Sequence, residues 1–123
     1  MSQNGLGEPF PLVVDQGATF RKVFRYSQYV AGVKTPVDLT GYSARMMVRT
    51  TYTAASPTIS LTSPSGGITI SAAAGEITVV MTATETAAIA AGRYVYDLEI
   101  ESGGGEVTRI ADGPLTVTPE VTR

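Results

Sequence analysis

The 123-residue sequence contains no histidine, no cysteine and no tryptophan. Histidine titrates nearest neutral pH and cysteine supplies the thiolate, so triads built on either are excluded, as are metal sites built on imidazole or thiolate. Disulfides go with them, which leaves stability to a hydrophobic core and the redox compartment open. Charge is scarce in both directions. The 9 Lys and Arg against 11 Asp and Glu give a formal net charge of -2, too even a balance to steer a polyanion, and nucleic acid is not an expected partner. No apolar run approaches the ~20 residues of a membrane span, and Met1 to Glu8 lacks the basic start and apolar stretch of a signal peptide. The expectation is synthesis in a cytoplasm with no membrane partner.

What the sequence does have is strand chemistry. Phe20, Phe24 and Tyr26 fall on one parity and Arg21, Val23 and Arg25 on the other, the period of two that gives a strand one buried face. The same rule covers Tyr42 to Thr50, where Tyr42, Ala44, Met46 and Val48 alternate with Ser43, Arg45, Met47 and Arg49. Shorter pieces follow at Ile59 and Leu61, at Ile68 and Ile70, and at Ile77, Val79 and Met81, separated by Ser63 to Gly67 and by Ala74-Gly75. The cleanest alternation sets Tyr94, Tyr96, Leu98 and Ile100 against Arg93, Asp97, Glu99 and Glu101. Ser102 to Gly105 closes a hairpin after it, with an expected register of Leu98 on Ile110 and Glu99 on Arg109. Gln28 to Pro36 reads as a loop because Gly32 and Pro36 break the pattern, and Asp112-Gly113-Pro114 reads as a turn before a last strand over Leu115 to Val117.

Thr82-Ala83-Thr84-Glu85 matches a capping box and predicts one short helix ending by Gly92. Its approach to Gly92-Arg93-Tyr94-Val95-Tyr96 is similar to the tyrosine corner of immunoglobulin domains. The expected fold is all-β: a single β-sandwich, immunoglobulin-like or jelly-roll-like, of about 7–9 short antiparallel strands with one short helix near 83–91. The expected organisation is an extended arm over 1–12, the sandwich over 13–118 and a tail over 119–123. The arm and tail place apolar Leu6, Phe10, Leu12 and Val121 where local partners are few. These four are the candidate assembly contacts, since an extended segment can add itself to a neighbour's sheet edge.

Candidate chemistry is sparse, and each instance has a plain structural reading. Asp97, Glu99 and Glu101 share a strand face, but alternation alone places charges there. Asp38-Leu39-Thr40-Gly41 is turn chemistry, with the Asp side chain capping backbone amides. Arg21, Arg25, Arg45 and Arg49 would make a basic ladder if their two strands were neighbours. The expectation is no enzyme, no catalytic residue, no metal, no cofactor and no small-molecule ligand.

Asp15-Gln16-Gly17-Ala18-Thr19-Phe20, Val37 to Met46, Gly66 to Ile70, Gly92 to Ile100 and Gly113 to Arg123 together resemble a group of small proteins encoded among the virion genes of tailed phages and prophages. The Asp38 to Gly41 turn between two strands also resembles the N-terminal β-domain of baseplate upper proteins. The resemblance implies a bacteriophage virion structural protein, a tail, baseplate or fibre-attachment subunit made in the host cytoplasm. Its partners would be other virion proteins, and it would be a homo-oligomer in the particle. Capsid decoration, a head–neck protein and a carbohydrate-binding module using Tyr29 and Tyr52 are the alternatives.

Overall fold

The computed structural model describes residues 10–122; Leu6, with the rest of 1–9, lies outside the described residues. The chain is an all-β sandwich, as its alternation predicts. Its elements are β1 (Leu12–Asp15), β2 (Phe20–Arg25), β3 (Ser27–Val30), β4 (Val33–Pro36), β5 (Ser43–Arg49), β6 (Ile59–Thr62), β7 (Ile68–Ser71), β8 (Glu76–Met81), α1 (Ala83–Ala87), β9 (Gly92–Glu101) and β10 (Val107–Thr118). One sheet runs β1-β10-β9-β5-β6, a second runs β2-β8-β7, and β3-β4 form a two-stranded sheet of their own.

The inward parity of each strand supplies the core. Ala44, Met46 and Val48 from β5, Tyr94, Tyr96, Leu98 and Ile100 from β9, and Leu115 and Val117 from β10 meet Phe24, Ile68, Ile77, Val79 and Met81 of the second sheet. Each fully buried aliphatic side chain contributes roughly 1.5–3 kcal/mol of transfer free energy, which makes this layer the main stabilising element.

The helix follows its sequence signal. Thr82 Oγ1 accepts from Glu85 N at 3.1 Å, and Glu85 Oε1 accepts from Thr82 N at 2.8 Å. It is shorter than expected, a single turn. Thr86, the one buried polar residue among those described, ties this turn to the rest: its Oγ1 donates to Ala18 O at 2.8 Å and accepts from Gly17 N at 3.0 Å. Tyr94 Oη donates to Ala90 O at 2.6 Å, which closes the corner into β9.

Four expectations need correction, one of them in part. Not all pairing is antiparallel: β1 lies parallel to β10, with Leu12 opposite Leu115 and Val14 opposite Val117. The supposed Asp112-Gly113-Pro114 turn is the middle of β10, which pairs with β9 along its length, Pro114 opposite Val95. Pro114 lies just before the β1 pairing begins, so its missing N–H costs little there. Gly113 (φ 146°) is required at this point because an added Cβ would come within 2.9 Å of Phe10 N. The β9–β10 register is half as expected. Glu99 does face Arg109, but a bulge at Ile110 puts Ala111 opposite Leu98 and turns both Ile110 and Ala111 inward.

The fourth correction is the stretch read as a loop. Gln28 to Pro36 lies in a regular β3–β4 hairpin with Val30 opposite Val33. Its turn has Ala31 at φ 52° and Gly32 at φ 82°, the two left-handed residues of a type I′ turn. Alanine in place of the usual Asn, Asp or Gly is why the signal was not visible in the sequence.

Candidate functional site

Two surfaces differ from the rest of the molecule. The first is the outer face of β5 and β9, where the polar parity of both strands emerges. The register sets Arg45 opposite Glu99, Met47 opposite Asp97 and Arg49 opposite Val95. Arg45 bridges Glu99 at 3.1 Å and Glu101 at 2.9 Å, and these bonds hold its guanidinium firmly protonated. Arg109 lies 3.7 Å from Asp97 and 3.6 Å from Asp112. Burial first, and the nearby Glu99 second, raise the Asp97 carboxyl above its ordinary range. Arg45, Met47, Arg49, Tyr52, Val95, Tyr96, Asp97 and Glu99 line an open groove of about 240 Å³ on this face.

The second surface is the β3–β4 hairpin. It leaves the sandwich at Tyr26 and returns at Val37, where Val37 N donates to Tyr26 O at 2.9 Å and Tyr26 N to Gly75 O at 2.8 Å. Gly75 admits this crossing because a Cβ there would fall within 2.7 Å of Tyr26 O. Beyond that foot, the ribbon carries Tyr29, Val30 and Val33 at 74%, 51% and 64% exposure. Val30 and Val33 form a cross-strand apolar pair on one face of the ribbon, and Tyr29 stands on the other face opposite Lys34.

The residues singled out in the sequence divide sharply. Leu12 is a buried residue of β1, and Phe10 is half-buried with its ring 5.6 Å from that of Phe24. Phe10 N donates to Asp112 O at 2.7 Å, and Phe10 O accepts from Tyr96 Oη at 2.6 Å. Both residues are spent on this chain's own core because β1 pairs with β10, so neither is available as an arm contact. Val121 is 90% exposed. The arginine ladder does not exist: β2 and β5 belong to different sheets, and Arg25 pairs with Glu76 while Arg45 pairs with Glu99 and Glu101. Asp38 Oδ1 accepts from Thr40 N at 2.9 Å and from Thr40 Oγ1 at 2.6 Å, a turn cap that lowers its pKa.

No family model matches the sequence. No curated protein matches it either. Among solved structures, the chain is similar to CopC from Methylosinus trichosporium OB3b, with 16% identity, a TM-score of 0.47, and coverage of 91% of this chain and 89% of that one. The expectation of a bacteriophage tail, baseplate, decoration or head–neck protein is corrected here. A neighbour found among solved structures is a CopC and not a virion protein. The likeness does not reach function: at this identity and TM-score it carries no argument about what the present chain binds.

The hairpin residues Tyr29, Val30 and Val33 and the groove residues Arg49 and Tyr52 were missed as a set by sequence reasoning. For the hairpin one signal was present, the Gln28, Val30 and Val33, Thr35 pairs mirrored about Ala31-Gly32. For the groove there was none, because its members come together only through the β5–β9 register.

Proposed function

We propose that the chain is a non-catalytic recognition module that engages a protein partner through the β3–β4 hairpin. The observation that carries this reading is the exposure of Tyr29, Val30 and Val33 on a ribbon that forms its own sheet. A two-stranded ribbon is marginal in water, and apolar side chains on it add stability only once something covers them. Among the described residues nothing pairs with the outer edge of either ribbon strand, which suits strand addition by a partner. Support for the non-catalytic part comes from the carboxylates, most of which are engaged: Asp38 in its turn, Glu85 in the helix cap, Asp15 with Thr118, Glu76 with Arg25, and Glu99 and Glu101 with Arg45.

The test is a photo-crosslinking amino acid placed at Val33 of the full chain, in cells that produce it, with the same group at Glu106 in the β9–β10 connection as control. A discrete adduct from position 33 alone, identified by mass spectrometry as another protein or as a second copy of this chain, is the expected result. Absence of any adduct from both position 33 and position 29 would overturn the reading.

A further inference from the structure

The groove on the outer face of the five-stranded sheet contains two charges that the protein itself answers incompletely. Arg45 is fully engaged by Glu99 and Glu101. Arg49 is not: among the described residues no carboxylate lies within ion-pair distance of it, and its fork donates only to Ala54 O at 3.0 Å and to Met47 Sδ at 3.4 Å. Asp97 has the opposite lack. Its cation, Arg109, stands 3.7 Å away and is shared with Asp112. The register makes Arg49 and Asp97 diagonal neighbours, with Met47 and Val95 completing the square between them. Diagonal Cβ atoms lie about 7–8 Å apart or somewhat less, within reach of long side chains.

The volume sets the size of an occupant. About 240 Å³ is below the ~300–1,000 Å³ of sites for drug-sized ligands, so the occupant is small. The lining sets its chemistry: an apolar thioether and a valine, an exposed Tyr52 ring, and a cation and an anion, Arg49 and Asp97, that attract each other across the groove without an ion-pair contact among the described residues.

We propose that this groove binds the zwitterion of an apolar α-amino acid, with its carboxylate on Arg49, its ammonium on Asp97, and its side chain over Met47 and Val95 beside Tyr52. A guanidinium fork receives a carboxylate through paired N–H donors. Glu99 lies on the Asp97 side and adds negative potential at the ammonium end. Desolvation and Glu99 already disfavour the charged form of Asp97, and an arriving ammonium relieves that penalty. A ligand with only one of the two charges answers only one of the two residues. Such a ligand is a class that sequence reasoning set aside.

The groove shares no residue with the hairpin, so this site stands or falls separately from the protein-binding reading. The experiment titrates the full chain with L-leucine and follows the Met47 and Val95 methyl resonances. Two analogues serve as controls, 4-methylpentanoate without the ammonium and 3-methylbutylamine without the carboxylate. Saturable shifts at millimolar leucine are expected, with each analogue weaker by about tenfold or more. Arg49→Gln and Asp97→Asn, each checked for an unchanged amide spectrum elsewhere, should weaken leucine by a similar factor. Arg49→Lys, which keeps the charge and loses the fork, should fall between. Shifts that do not saturate, analogues that bind as well as leucine, or folded variants that bind as the natural chain does would each overturn the proposal.

Discussion

Two short segments near the start of the described chain carry apolar side chains, and the fold treats them in opposite ways. Phe10 to Val14 is drawn into the sandwich: Leu12 and Val14 take the inward parity of β1, and Phe10 is held at both its N–H and its carbonyl. Tyr29 to Val33 is held out, in regular strand geometry, with its apolar side chains in water. Apolar composition alone did not distinguish them. What did was the partner strand: β10 continues far enough to receive β1, while nothing in the described chain pairs with either outer edge of the hairpin. Apolar residues that the fold leaves uncovered are therefore a better guide to contact than apolar residues at a chain end.

The comparison breaks most visibly at Leu12. Leu12→Ala should cost about 2–5 kcal/mol in denaturant unfolding, the range for truncating a buried leucine; a cost near zero would mean that β1 is an arm after all. Tyr96→Phe, which removes the 2.6 Å bond to Phe10 O, should cost about 0.5–1.5 kcal/mol. This phenol carries a pH signature as well. Burial, reinforced by Asp112, raises its pKa far above the ordinary tyrosine range. Its stabilising effect is complete below the unfolded pKa and is lost as pH rises beyond it, because the unfolded chain ionises first. The stability measured from unfolding curves should accordingly fall less steeply with rising alkaline pH for Tyr96→Phe than for the natural chain. Val33→Ser should move the unfolding midpoint least, by less than about 0.5 kcal/mol, since its side chain is already in water. A large loss of stability there would show that the hairpin is packed.

Much of the sandwich could be read from alternation because nearly every strand has one wet face and one dry face. The capping box was equally direct, since Thr82 and Glu85 need only each other. The failures have physical causes. Pro114 and Gly113 look like turn residues, yet β10 runs through them because Phe10 approaches so closely that only glycine fits. The parallel β1–β10 pair joins residues 103 apart, as between Asp15 and Thr118, a distance over which no local pattern operates. The Glu99 and Arg109 register was legible, but Arg45 takes Glu99 from the other side and leaves Arg109 to Asp97 and Asp112. Of the two surfaces, the groove was the less legible, because it exists only once β5 and β9 are aligned.

The parallel seam also decides how the molecule bears load. Leu12 to Asp15 and Leu115 to Thr118 point the same way along their shared ladder, so tension applied through the chain before β1 and after β10 pulls the two strands past each other lengthwise. The evenly spaced, slanted bonds of a parallel pair then resist together, where a hairpin pulled from its open end would unzip one bond at a time. A domain closed in this manner can be held in series between two attachments and stay shut under tension.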